Sequence, residues 1–302
     1  MTARTTHLAT AFLGSALLTF VAAARAQYPA NWAEAQEPFR VYGDTYYVGT
    51  QGLSAILVTS PQGHVLIDGT LPQATPLIVA NIKALGFRIE DVKLILNTHD
   101  HFDHAGGIAK LQKLSHAVVA ASKASAKVLT SGAIDRDDPQ YGKLPKIAIV
   151  HKVKVFADGE TLKAGALELT AHFTPGHTPG GTSWTWKACE QQRCLDVVYA
   201  DSLNPISAAG YLYTDKKRDP NGVAQLEHSF TVLSALPCDI LLTPHPELAD
   251  LFGKLARRGH DETSNPFIDP NACRAYVQAS RAKLEKRIAE ETASKTAPDA
   301  AH

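Results

Sequence analysis

The stretch NTHDHFDHAGG, Asn97 to Gly107, sets three histidines and two aspartates within six consecutive positions and closes on two glycines. It follows the apolar run VKLIL directly, so it reads as the end of a buried strand rather than a free loop. At an extended strand end, residues two apart point to the same side, so His99 and His101 can approach one ion together. Asp103 and His104 lie past the bend and diverge, which lets them reach a second ion nearby. Gly106 and Gly107 let the backbone turn tightly into a helix. A solvated loop is the plain alternative, and its weakness is that it explains neither the strand before nor the glycine pair after.

Metal sites need ligands distant in sequence, and two further histidines share this setting. His177 lies in TPGHTPGG and His245 in LLTPHPE, each after an apolar strand and framed by prolines or glycines that stiffen the loop. Nitrogen and oxygen ligands without a thiolate point to zinc, with open positions for water. Two metal ions are implied. The histidines at 64, 116, 151, 172, 228, 260 and 302 lack such framing and read as surface or satisfied core residues.

Arg4 and His7 precede an apolar run from Leu8 to Ala24, and Ala24-Arg25-Ala26 supplies a small-x-small cleavage pattern. Residues 1–26 are therefore expected to be a signal peptide cleaved after Ala26, giving a periplasmic or secreted protein. The 276 residues that remain carry 28 basic and 30 acidic side chains, which gives no electrostatic handle for nucleic acid or anionic lipid. Neither a nucleic-acid partner nor, after cleavage, a membrane is expected. Four cysteines without a Cys-x-x-Cys spacing suit two disulfides in an oxidising compartment.

Strand patterns alternate with helical ones. VYGDTYYVG, LSAILVTS and HVLIDG read as three strands with an antiparallel start, followed by the helix PLIVANIKALG, with Pro76 near its start and Gly86 at its end. VKLILNTH is a buried strand, GGIAKLQKL a helix, HAVVA a strand, and SKASAKVLTSG a helix with Ser122 as N-cap. The second half repeats this order with LELTAHFTPGH, GTSWTWKA, CLDVVYADS, the helix GVAQLEHSFTVLSAL, and the strand CDILLTPHP. Two such halves packed sheet on sheet predict an α/β fold, an αββα four-layer sandwich with helices outside. One domain is expected over residues 27–293, its last helix spanning about Asn271 to Ala293, and a small polar tail over 294–302.

THDHFDHAGG, TPGHTPG, YADSL and LLTPHPE, in that order, resemble the metallo-β-lactamase superfamily and within it the class B β-lactamases of subclass 3. The resemblance implies one zinc held by His99, His101 and His177, and a second held by Asp103, His104 and His245. It also implies opening of the β-lactam amide of penicillins, cephalosporins and carbapenems by a zinc-bound hydroxide. Asp103 would be catalytic as well as a ligand, and Ser202 and Asn204 would hydrogen-bond the substrate carboxylate. Its cysteine spacing resembles that of subclass 3, which implies bridges Cys189–Cys194 and Cys238–Cys273; sequence alone leaves the other two pairings open. The only partner expected is a small-molecule β-lactam, and the chain is expected to be a monomer.

Two alternatives accompany this reading. Glyoxalase-type hydrolases of the superfamily place a metal-bridging aspartate in a segment like the one around Asp201, which would make the protein a thioester or lactone hydrolase. The choice between Asp201 and Ser202 as the residue facing the site is open at this stage. A non-catalytic periplasmic zinc-binding protein is the other alternative. Asp68 in LIDG either braces the metal-binding loop or caps a turn. Trp184 and Trp186 read as sheet packing rather than substrate contacts, and Gln140 in DDPQYG as part of a polar loop that is solvated rather than overhanging the site.

Overall fold

The computed structural model describes residues 28–259 and 265–296. The expected signal peptide, His260, His302 and the end of the tail lie outside the described residues. The first half contains β1 (Phe39–Tyr42), β2 (Thr45–Tyr47), β3 (Ile56–Val58), β4 (His64–Ile67), α1 (Thr75–Ala84), β5 (Val92–Leu96), α2 (Phe102–Ala105), α3 (Ile108–Ser115), β6 (Val118–Ala121), α4 (Lys123–Ser131) and β7 (Val153–Val155). The second contains β8 (Thr161–Ala164), β9 (Leu167–Phe173), β10 (Thr182–Glu190), β11 (Arg193–Tyr199), α5 (Gly222–Ala235), β12 (Ile240–Leu242), α6 (Leu251–Arg257) and α7 (Ala272–Thr296).

One sheet runs β1 to β7 in chain order, antiparallel up to β4 and parallel from β4 onward. The direction changes where helices enter the connections, because parallel neighbours need a crossover. The other sheet runs β12-β11-β10-β9-β8 and is antiparallel except for the β11/β12 pair, which α5 connects. Alternate residues of single strands enter different cores. Leu96, Ile56, Val197 and Tyr199 pack between the sheets with Trp184 and Leu242. Ile95 and Leu57 pack outward against Ile78, Ile108 and Leu111, while Val198 and Leu241 pack against Phe230, Tyr276 and Leu284. Strand segments buried on both faces read as unbroken apolar runs, as Leu94 to Leu96 and Ile240 to Leu242 do. The αββα four-layer sandwich is the observed architecture.

Three expectations change in detail. VYGDTYYVG is not one strand but the hairpin β1–β2, turned at Gly43 with φ +54° and with Tyr42 opposite Thr45. β7 and β8, both short and each exposing one lysine, were not anticipated. α7 continues to Thr296, past the expected boundary at Ala293. Ser122 caps α4 as expected, its hydroxyl accepting from Ser125 N at 3.3 Å. Both implied disulfides are present: Cys189–Cys194 joins paired positions of β10 and β11, and Cys238–Cys273 ties the approach to β12 to the first turn of α7. Among the described residues no helix is long and apolar enough to cross a membrane.

Candidate metal centre

β5 delivers the histidine-rich loop to one edge of the sandwich, and residues from both sheets hold it there. Asp68, just beyond β4 at φ +64°, accepts Thr98 N and Thr98 Oγ1, each at 2.8 Å, and the Tyr199 hydroxyl at 3.1 Å. It braces the loop rather than capping its own turn, and burial pushes its carboxyl up to about 6. The Trp184 indole N–H donates to Asn97 O at 3.2 Å, so this tryptophan packs in the core as expected and also pins the strand end. Gly69 N donates to His104 O at 2.7 Å and Gly107 N to Thr70 O at 3.0 Å. A Cβ on Gly107 would lie 2.2 Å from Gly69 O, so the two backbones touch where any side chain would intervene.

Two groups of ligand atoms converge on this floor, each group lying within 4.8 Å: His99, His101 and His177, and beside them Asp103, His104 and His245. The His99 and His104 rings, 4.3 Å apart between centroids, connect the groups. In the first group each imidazole has an acceptor on its outer nitrogen. Asp201 Oδ1 lies 2.7 Å from His99 Nδ1, Asp138 Oδ2 lies 3.0 Å from His101 Nε2, and Asn204 O lies 2.8 Å from His177 Nδ1. Acceptors there hold the protons outward and leave the opposite lone pairs facing in. His99 Nε2 is accordingly buried with no partner. In the second group His104 Nε2 and His245 Nε2 stand 3.2 Å apart, and Asp103 Oδ2 is 3.1 Å from the first and 3.6 Å from the second.

Protonation states suit this geometry. Burial, then the neighbouring imidazoles, pushes His99 well below the usual histidine range, His177 down to about 3 and His245 to about 4. His101 differs from these three: burial lowers it, but the bond to Asp138 together with the charges of Asp138, Asp103 and Asp100 outweighs burial and raises it. Burial would raise Asp103 as well, but His104 and then His245 hold it far below the carboxylate range. Inward lone pairs, one ionised carboxylate and no thiolate form a donor set that fits zinc.

Asp201 lies behind His99, on the side of the ring away from the inward nitrogen, and is outside both ligand groups. Ser202 is fully buried, its Oγ without a hydrogen-bond partner. Asn204 contributes its carbonyl to His177, and its side-chain Oδ1 accepts Lys283 Nζ at 2.7 Å. Asp138 was missed by sequence reasoning. DDPQYG is no solvated loop: Asp138 is fully buried and accepts Gln140 N at 2.6 Å, Gln140 is 7% exposed, and Pro139 O accepts Ala208 N at 2.8 Å. Nor was an aromatic N-terminal segment anticipated, in which Trp32 lies 5.4 Å from His245 and Tyr28 lies 4.5 Å from Phe102.

Comparison with known proteins bears on this centre. The profile of the metallo-beta-lactamase superfamily matches residues 48–189. The structure of Rm3 metallo-beta-lactamase superposes with a TM-score of 0.85 at 54% identity, covering 87% of this chain and 97% of that one. MEM-A1, a subclass B3 metallo-beta-lactamase from a soil metagenome library, superposes with a TM-score of 0.85 at 50% identity, covering 87% of this chain and 99% of that one. The chain belongs to the subclass B3 metallo-β-lactamases. A hydroxyacylglutathione hydrolase of Rhodopseudomonas palustris (strain HaA2) is 34% identical over 123 residues, 40% of this chain. The match spans only 38% of that curated relative's own length. Within this subclass B3 chain the centre draws on both halves of the sequence: the β5 loop and Asp138 come from the first, and His177, Asp201, Asn204 and His245 from the second.

Proposed function

We propose that the mature chain is an exported dizinc β-lactamase that opens the amide ring of penicillins, cephalosporins and carbapenems. The observation that carries this choice is the Asp201–His99 contact of 2.7 Å, because an aspartate held on the outer nitrogen is not available to bridge two ions. This disfavours the thioester or lactone hydrolase. A purely zinc-binding protein is disfavoured because three ligands per group leave positions open, whereas closed structural sites use four.

In this reading His99, His101 and His177 hold one zinc, and Asp103, His104 and His245 the other. Bound there, zinc supplies Lewis acidity and lowers the pKa of a coordinated water towards about 7, so no serine or cysteine nucleophile is required. Asp138, Asp201 and the Asn204 carbonyl keep the histidine protons on the outer nitrogens. Asp103 would hold its ion and, as an ionised acceptor beside His104 and His245, would accept a hydrogen bond from the attacking water. Ser202 and Asn204 hydrogen-bond the substrate carboxylate, the first from a hydroxyl with no other partner. Export follows cleavage after Ala26, and the chain acts as a monomer.

The test is the mature protein with zinc assayed against a penicillin, a cephalosporin, imipenem and a glutathione thioester. Turnover of the lactams is the expected result. Rapid thioester hydrolysis with no imipenem hydrolysis overturns it.

A further inference from the structure

The four residues Asp201 to Asn204 supply two of the three outer acceptors of the three-histidine group. The carboxylate at its first position holds His99, and the carbonyl at its last holds His177. Yet the stretch belongs to no strand or helix, because β11 ends at Tyr199 and the sheet's last bond to this segment is Ala200 N to Leu242 O. Something else must fix its backbone. Asp201 N donates to Ser183 Oγ at 2.9 Å, and beyond that point the support comes from α7.

Tyr276, 6% exposed and one turn past Cys273, supplies it with a single atom. Its hydroxyl donates to Asp201 O at 2.9 Å and accepts Leu203 N at 3.1 Å. The phenol thus closes over both sides of Ser202, and burial keeps it protonated so that it can donate and accept at once. α7 is anchored for this task by the Cys238–Cys273 bridge and by the Arg281–Glu227 ion pair to α5.

We propose that Tyr276 is a positioning residue for the three-histidine group: it sets the two outer acceptors, on Asp201 and Asn204, through one bracket around Ser202. The inference rests on reading that group as a zinc site. Tyr276→Phe removes the hydroxyl and keeps the ring in its packing against α5 and β12. Val277→Ala, on the same helix and 4% exposed, is the control for simple loss of packing.

The zinc-loaded proteins are titrated with a chelator, zinc release is followed by an indicator dye, and cobalt-substituted samples are compared by visible absorption. Loss of a direct outer partner weakens metal binding by about 10–100-fold, and for this indirect one a weakening of about tenfold in one of the two zinc equivalents is expected. The cobalt bands should shift with it. Val277→Ala should lower the melting temperature without either change. Unaltered release and cobalt bands in Tyr276→Phe, or equal changes in both variants, overturn the inference. Wild-type protein that retains no zinc overturns the zinc reading itself, independently of any lactam assay.

Discussion

Replacing Asp201 by asparagine separates an outer partner from a bridging ligand. In the structure the carboxylate makes one strong contact, Oδ1 to His99 Nδ1 at 2.7 Å, while Oδ2 is buried without a partner. Hydrogen bonds to charged groups are worth roughly 1.5–3 kcal/mol, and about 1.4 kcal/mol is a tenfold change, so complete loss would weaken one zinc between about 10-fold and 150-fold. Asparagine retains an acceptor oxygen for His99, which places the expected effect near the lower end. Its amide nitrogen, however, takes the place of Oδ2, which is buried with no hydrogen-bonding acceptor beside it. A buried amide N–H without an acceptor should cost about 1–3 kcal/mol of stability. The assay is chelator titration with elemental analysis, alongside thermal melts in excess zinc. One equivalent should be lost early, the other retained, and excess zinc should restore turnover. Parallel loss of both equivalents, or turnover that excess zinc does not rescue, would refute the outer placement.

Three further outcomes are expected. Asp103→Asn should keep the fold by circular dichroism while losing most lactam turnover and one zinc equivalent, because a neutral amide replaces the ionised oxygen between His104 and His245. Changing Cys238 and Cys273 to serine opens a link of sequence separation 35, for which the chain-entropy argument gives about 4 kcal/mol, measurable by urea unfolding. Ser202→Ala should raise KM about fivefold with kcat nearly unchanged, as loss of a hydrogen bond of about 1 kcal/mol requires; an unchanged KM counts against its contact with substrate.

Four of the six candidate ligands were legible in the sequence because each follows an apolar strand, where a local pattern marks both the strand and its termination; Asp103 and His104, in α2, were legible through their nearness to His99 and His101. His99, His101, His177 and His245 all carry that mark. Their outer partners do not. Asp138 reaches His101 across 37 positions and Asp201 reaches His99 across 102, and nothing in the neighbouring residues of either aspartate records the pairing. Asp201 was visible as a residue near the site, but which way it faced depends on how β11 leaves the sheet, and that is settled by packing against α7. The Gly43-Asp44 hairpin is a different kind of miss. Its turn signal was present, but strand-forming residues on both sides concealed it.

The seam where Gly69 meets Gly107 limits the sequences through which this lineage can drift. Even alanine at Gly107 would press its methyl within 2.2 Å of a backbone oxygen, and at Gly69 within 2.7 Å of Ile108 N; neither neighbour can rotate aside. Gly142 and Gly210, by contrast, face nothing within 4 Å, so a side chain there meets only the strain of a left-handed backbone, roughly 1–2 kcal/mol. Selection with any antibiotic should therefore sample the surface loops freely and leave the seam closed, so that new substrate ranges arise around a floor that itself does not evolve.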